Sequence, residues 1–181
     1  MRLSYLVLGA YTLAGITSSY AAPPQLYNKT VSIAWSDRST VRSPDGIEKQ
    51  GGSDVKYIVF VSSAGRLFMR SSLTQGTRSA RGDADPGEVR SKNGEAHGWT
   101  FNGNTMVFTR GYGGGGGSGA LHLVVSFDPT YSSCSLKVSH GREDGRHLKR
   151  KSLDGVTREF WNTTYSNQSC SVQSGNPFAN N

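Results

Sequence analysis

The sequence predicts an all-β fold, a single-domain antiparallel β-barrel or β-sandwich of about seven to eight strands with one disulfide. Short segments alternate apolar and polar residues with the two-residue period of strands, and glycine-rich or Asn-Gly turns separate them. The chain of 181 residues suits one domain. The weak amphipathic segment near residues 146–153 is the one helical candidate, so helices contribute little to the predicted fold.

The first 21 residues predict a signal peptide. Arg2 precedes an uncharged apolar run from Leu3 to Leu13, and small residues precede a cleavage position after Ala21. An uncleaved membrane anchor is the alternative, but the run is shorter than a bilayer-spanning helix. We therefore expect an exported protein, periplasmic or extracellular, with one β domain over residues 22–181 and no transmembrane segment in the mature chain.

The first strands are predicted from their apolar patterns. Val31, Ile33 and Trp35 share one face of a strand, because residues two apart in a strand point to the same side. Residues 56–62 are apolar on both faces, which is typical of a covered central strand. A glycine turn at 63–65 leads from it into the next strand and completes a hairpin.

Residues 72–96 and 141–155 have a different character. Both segments are rich in charged residues and glycine and carry few apolar side chains. Because such segments have little apolar surface to bury, we expect two long polar loops on the protein surface.

A second hairpin is predicted around Asn102-Gly103. This pair stands between the strand-like runs 97–101 and 105–109, a pattern typical of a type I′ turn whose two central residues both take positive φ. After the glycine-rich segment 111–119, a strand over 120–128 places Leu121, Leu123, Val125 and Phe127 on one face.

The two cysteines, Cys134 and Cys170, both lie in strand-like sequence of the exported portion. In an oxidising compartment such a pair most simply forms one disulfide. Two free thiols or a metal pair are the alternatives, but neither a CxxC motif nor a neighbouring histidine cluster offers zinc spacing. The pattern therefore predicts one bridge.

The charge balance points to anionic partners. Lys and Arg number 20 against 13 Asp and Glu, which gives a formal net charge of +7. A basic cluster after residue 141 predicts a surface that binds an anionic envelope component or an acidic partner: Arg142, Arg146, Lys149, Arg150 and Lys151. An ordinary solvated basic loop is the alternative. Export argues against nucleic acid as the partner.

Four aromatic residues suggest a second kind of site. Tyr57, Trp99, Phe101 and Tyr112, the last in the glycine-rich segment, could line the mouth of a pocket for a small amphipathic ligand. A role in the hydrophobic core is the competing interpretation. The two leading functional hypotheses are therefore small-ligand binding and, as the alternative, polyanion binding, both non-catalytic.

Catalytic, metal and cofactor motifs are missing from the sequence. The glycine run lacks the Gly-Lys-Ser/Thr of a P-loop, so no nucleotide cofactor is predicted. A hydrolase is a third hypothesis, in which His122 or His140 would act with Asp128 and a serine such as Ser126. Three asparagines, Asn28, Asn162 and Asn167, occupy N-glycosylation sequons, whose use depends on the source organism.

A family resemblance rests on the middle half of the chain. The hairpin at 60–68, the Trp99–Asn104 segment and the run Phe127–Cys134 resemble small exported proteins of unknown function from rhizobial and related alphaproteobacteria. The resemblance implies export and an antiparallel β fold, and no activity. The strand layout is also similar to lipocalin-like barrels, although Trp35 follows Ile33-Ala34 and not the Gly-x of lipocalins.

Overall fold

The computed structural model describes residues 22–76, 78–88, 99–114, 117–142 and 148–178, and describes side chains within 22–76, 99–109, 121–139 and 152–178. The predicted signal peptide, residues 1–21, lies outside the described residues. One turn of 3₁₀ helix, Pro24–Leu26, precedes ten strands in the described chain: β1 (Lys29–Arg42), β2 (Glu48–Val61), β3 (Leu67–Gln75), β4 (Arg78–Glu88), β5 (Trp99–Asn102), β6 (Thr105–Gly114), β7 (Gly117–Phe127), β8 (Cys134–Arg142), β9 (Leu148–Lys151) and β10 (Thr157–Ser174).

The strands form two antiparallel sheets, which confirms the predicted all-β antiparallel fold. One sheet has the order β4-β3-β2-β1-β10-β9 and the other the order β5-β6-β7-β8. Two separate sheets that share one core make this fold a sandwich, one of the two architectures the sequence allowed. The chain crosses to the second sheet after β4 and returns after β8.

The structure corrects the prediction of two long polar loops. Residues 78–88 and 148–151 are strands, and they raise the strand count to ten in the described residues. Both strands lie at the edges of the six-stranded sheet. An edge strand needs backbone pairing on one side only, and charged residues there discourage pairing with other chains. These strands therefore lack the apolar alternation by which strands are recognised.

The core lies between the two sheets. Val31, Ile33 and Trp35 of β1 face it, as their alternation predicts, and each is at most 3% exposed. The opposing sheet contributes the apolar sets of β5, β6 and β7 to the same cluster. Across the interface, the rings of Tyr57 and Phe108 meet edge to face with centroids 6.0 Å apart. The apolar faces predicted from sequence thus form one shared core.

A disulfide joins the sheets along one side of the sandwich. Cys134 begins β8 and Cys170 lies in β10, and their Cα atoms are 5.5 Å apart. Next to the bridge, the Gln168 Oε1 accepts a hydrogen bond from the Val138 backbone N–H at 2.7 Å. The predicted bridge is confirmed, and it fastens the last strand to the four-stranded sheet.

Three hairpins share one turn design, in which the third loop residue is a glycine at positive φ. Gly46, Gly65 and Gly155 have φ values of 84°, 73° and 84°.

The Asn-Gly hairpin is also confirmed, but its turn is shifted by one residue. Asn102 pairs with Thr105, so the central residues are Gly103 and Asn104, and Gly103 alone has positive φ. That pattern fits a type II′ turn instead of the predicted type I′ turn.

Candidate functional site

Three of the four predicted ligand-binding aromatics belong to the sandwich core. Tyr57, Trp99 and Phe101 are 6%, 0% and 3% exposed. Trp99 lies against Phe108, with ring centroids 4.7 Å apart, and Phe108 also contacts Tyr57. The structure therefore brings Tyr57 and Trp99 together, but as packing between the sheets and not as a solvent-accessible lining. The side chain of Tyr112 lies outside the described residues.

The basic cluster is divided between two strands. Arg142 ends β8, and Lys149, Arg150 and Lys151 belong to β9, while Arg146 and the side chains of the other four lie outside the described residues. The backbone of β9 pairs with residues 157–160 of β10. The cluster thus includes an edge strand, where basic residues also serve to block further strand pairing.

A cleft of about 710 Å³ lies at one end of the six-stranded sheet. Here β1 and β2 continue beyond the residues that pack on the second sheet. The cleft is bounded by this pair of strands, by the end of β3 and by the turn between β9 and β10. The lining residues come from four distant segments, and none of these carries a recognised motif, so the sequence does not predict this site.

The floor of the cleft is apolar. Val41 and Phe160 are directly opposed across β1 and β10, and each is 4% exposed. They form a small buried cluster of their own, apart from the main core. Leu153 adds a third apolar side chain to the lining. A ligand in the cleft would therefore find an apolar surface of limited size.

Two consecutive glycines of β2, Gly51 and Gly52, let neighbouring groups of β1 approach this strand closely. A Cβ at Gly51 would lie 2.7 Å from the Val41 Cγ2, and a Cβ at Gly52 would overlap the Asp37 carbonyl oxygen. Side chains are therefore excluded at both positions. Glycines inside a strand often mark a close approach of this kind, so Gly51-Gly52 was the available sequence clue to the site.

Gln75 closes one side of the cleft. Its Nε2 donates a hydrogen bond to the Ser53 Oγ at 3.2 Å, and its Oε1 accepts one from the Leu153 backbone N–H at 3.0 Å. Ser53 is buried on β2, whereas Leu153 belongs to the turn between β9 and β10. The sheet must curl strongly for β3 to meet that turn, and this curl produces the concave site.

An ion pair fixes the rim. Arg158 donates to both carboxylate oxygens of Asp154, at 2.6 and 2.7 Å, and its Nε donates to the Ser43 Oγ at 3.4 Å. Hydrogen bonding to Asp154 raises the pKa of Arg158, with a smaller contribution from Asp45. Arg158 thus ties together two hairpin turns of the same Ser-x-Asp-Gly design, 43–46 and 152–155.

A smaller hollow of about 320 Å³ lies near the cleft, lined by Ala34, Ser36, Lys56, Ser72 and Asn167 among others. The Asn167 Nδ2 donates to the Ser36 Oγ at 3.2 Å. The Ser36 Oγ in turn donates to the Asp54 Oδ1 at 2.7 Å. Three of its polar side chains therefore already bond one another, and it offers less apolar surface than the larger cleft.

His122 and Asp128, two residues of the hydrolase hypothesis, have separate partners. The His122 Nδ1 lies 3.3 Å from the Thr109 Oγ1 on the neighbouring strand. The Asp128 carboxylate instead accepts hydrogen bonds within its own loop, from Thr130, Ser132 and Ser133. Neither of these side chains contacts the other, so the described residues do not assemble the histidine–aspartate pair of a hydrolytic triad. The side chain of His140 lies outside them.

In the part of the chain that the structure describes, no group of three or more His, Cys, Asp or Glu side chains is placed to hold a metal ion. Within the same residues, no helix has the length and apolar character needed to cross a membrane.

Comparisons with protein-family models, curated proteins and solved structures found no match to this chain. The class of protein is therefore defined by its own architecture. It is a disulfide-linked, two-sheet β-sandwich with a polar-rimmed cleft at the end of the larger sheet.

Proposed function

We propose that the protein is an exported, non-catalytic binding protein that takes a small amphipathic ligand in the cleft of the six-stranded sheet. The observation that carries this proposal is the combination of an apolar floor, Val41 and Phe160, with a rim held by Gln75 and Arg158. Ligand sites typically combine a mostly apolar surface with a few fixed polar groups.

Export is part of the same proposal. The signal-peptide pattern of residues 1–21 supports it, and so does the Cys134–Cys170 bridge, since disulfides persist mainly in oxidising compartments. Expression of the whole chain tests it, because an exported product should begin near Ala22 and have a mass about 2 Da below that of the reduced form. A product that retains residues 1–21 would count against export.

Two experiments test the cleft. Native mass spectrometry of the exported protein should reveal an adduct that is lost on denaturation. In solution, the neutral fluorescent probe N-phenyl-1-naphthylamine should bind, and Ser152→Trp, which fills the cleft, should abolish its binding. Ser135→Trp is the matched control, because Ser135 is exposed on β8 of the other sheet. Equal binding by both variants would rule out the cleft as the site.

Polyanion binding by the basic cluster is a second candidate. The position of β9 at a sheet edge supports it, because Lys149, Arg150 and Lys151 then occupy a strand with no neighbour on one side in the described sheet. Replacing all three with Gln should lower the salt concentration at which the protein elutes from heparin. Unchanged elution would exclude this cluster as the binding surface.

A further inference from the structure

We infer that the ligand of the cleft is an amphipathic acid whose anionic head group, a carboxylate, sulfate or phosphate, binds at Lys49. This inference rests on the proposed function and specifies the chemical class of its ligand. It follows from the charges that line the cleft, from the position of Lys49 relative to the apolar floor, and from the charge of the whole chain.

The charges of the cleft do not cancel. Three cationic and two anionic side chains line it: Arg38, Lys49, Arg158, Asp54 and Asp154. Arg158 is bound by Asp154 through two hydrogen bonds. The Arg38 Nη1 lies 3.7 Å from the Asp54 Oδ1, a weaker contact between two exposed side chains. Lys49 makes no ion pair or hydrogen bond with the described residues, so its positive charge is uncompensated.

Lys49 lies beside the apolar floor. In the strand register, Lys49 of β2 is opposite Val41 of β1, and Val41 is opposite Phe160 of β10. Gly51 follows on the same face of β2, and the Val41 side chain covers it so closely that a Cβ at Gly51 would lie 2.7 Å from the Val41 Cγ2. One positive charge and one apolar surface are thus neighbours, as the two ends of an amphipathic acid require.

The type of cation also matters. A lysine ammonium is a compact charge without the fixed fork of a guanidinium, so it binds carboxylate, sulfate or phosphate with little preference of orientation. The formal net charge, +7 for the whole sequence and +6 without Arg2 of the predicted signal peptide, attracts anions to the protein as a whole. In addition, Ser152 of the cleft lining directly follows the basic strand β9 in sequence. Each of these features favours an anion over a neutral or cationic ligand.

Two probes with the same aromatic body separate the head group from the rest of the ligand. N-phenyl-1-naphthylamine is neutral, and 8-anilinonaphthalene-1-sulfonate adds one sulfonate. Lys49→Gln should weaken binding of the sulfonate about fivefold at low salt and leave binding of the neutral probe nearly unchanged. Lys137→Gln is the control, because it removes the same charge from an exposed position of β8 and should change neither affinity.

The outcomes distinguish this inference from the proposed function. If neither probe binds the unmodified protein, or if Ser152→Trp binds the neutral probe as well as Ser135→Trp does, the cleft proposal fails. If the neutral probe binds in the cleft but Lys49→Gln and Lys137→Gln affect the sulfonate equally, the cleft stands and the acidic ligand is overturned. If Lys49→Gln alone weakens binding of the sulfonate, competition by decanoate, decyl sulfate and decyl phosphate identifies the preferred head group. Melting temperatures confirm that each variant is folded.

Discussion

Gln75 and Leu153 are 78 residues apart in the chain, yet the Gln75 Oε1 accepts a hydrogen bond from the Leu153 backbone N–H at 3.0 Å. The two residues belong to opposite sides of the six-stranded sheet, one at the end of β3 and the other in the turn that follows β9. Their contact closes the curled end of the sheet. The cleft, and with it the proposed function, depends on this closure.

Substitution of Gln75 should therefore affect stability and binding together. Gln75→Ala removes both of its hydrogen bonds and leaves the Leu153 N–H and the buried Ser53 hydroxyl without that partner. Because unpaired buried polar groups are costly, we expect a loss of about 1–3 kcal/mol in the free energy of unfolding and weaker binding of the naphthylamine probe. Urea denaturation measures the first effect. Gln173→Ala, at an exposed position of β10, should be neutral, and equal effects of the two variants would contradict the role of Gln75.

The disulfide should supply a large part of the total stability. The bridge closes a loop with a sequence separation of 36 residues, for which loop-closure entropy corresponds to about 4 kcal/mol. Reduction, or the double change Cys134→Ser with Cys170→Ser, should lower the free energy of unfolding by a comparable amount. Urea denaturation should give the same loss of stability for both treatments. A reduced protein as stable as the oxidised one would show that Gln168 and the core hold β8 and β10 together without the bridge.

Asp128 should make stability depend on pH. Hydrogen bonds from Ser132 and Thr130, with further ones from backbone N–H groups, hold the pKa of Asp128 well below its usual range. A group with a lowered folded pKa contributes stability above its unfolded pKa of about 3.9, and this contribution is lost as the pH falls through the folded pKa. Asp128→Asn should therefore destabilise the protein near neutral pH.

The pH profile is the decisive measurement for Asp128. Urea midpoints of the unmodified protein and Asp128→Asn should differ most above about pH 5 and converge as the pH falls toward about 2. A difference that stays constant over this range would mean that the carboxylate charge is not what stabilises the loop.

The three sequon asparagines share an unusual backbone conformation. Asn28, Asn162 and Asn167 have φ values of 58°, 52° and 52°. Asn162 and Asn167 coincide with the two register shifts between β1 and β10, where β10 carries an extra residue. Asparagine tolerates the left-handed region better than most residues. The backbone therefore gives a reason for asparagine at each position that is independent of glycosylation.

Substitutions of Asn162 test this explanation. Asn162→Ala should cost about 1 kcal/mol, because a Cβ without a compensating polar group disfavours positive φ. Asn162→Gly should be tolerated within about 0.5 kcal/mol. Asn102→Ala provides the comparison, since Asn102 is exposed and does not have positive φ. Urea denaturation of the three variants, made in a host without N-glycosylation, measures these costs. Equal losses of stability for Asn162→Ala and Asn162→Gly would refute the backbone explanation.

Several features were predictable because they depend on local sequence. The alternation in β1, the covered strand β2 and the hairpin turn at Gly65 all express short-range rules of strand period and turn conformation. The disulfide was predictable for a different reason, since the chain has only two cysteines. The Asn102-Gly103 hairpin was predicted for the same reason, although the sequence did not reveal which two residues would be central. Glycine permits positive φ in either register, so the pairing of the flanking strands decides the turn.

Other features depended on position in the sheet. The segments 78–88 and 148–151 resemble loops in sequence, and they are strands because the edges of the sheet offer backbone partners to polar chain segments. Tyr57, Trp99 and Phe101 have the amphipathic or aromatic character of ligand contacts, but the packing of one sheet on the other buries them. The sequence shows how apolar a residue is, but the packing of distant segments decides which surface covers that residue.

The sequence by itself determined the all-β class and the apolar faces of the core strands, because strand period and turn chemistry act over a few residues. It also determined the single disulfide, because the chain has only two cysteines. The tertiary structure decided that the strands form a sandwich, that polar segments become its edges, and that Gln75, Arg158, Val41 and Phe160 meet around one cleft. Those relationships arise from the curl of a six-stranded sheet, which brings together residues that are remote in sequence.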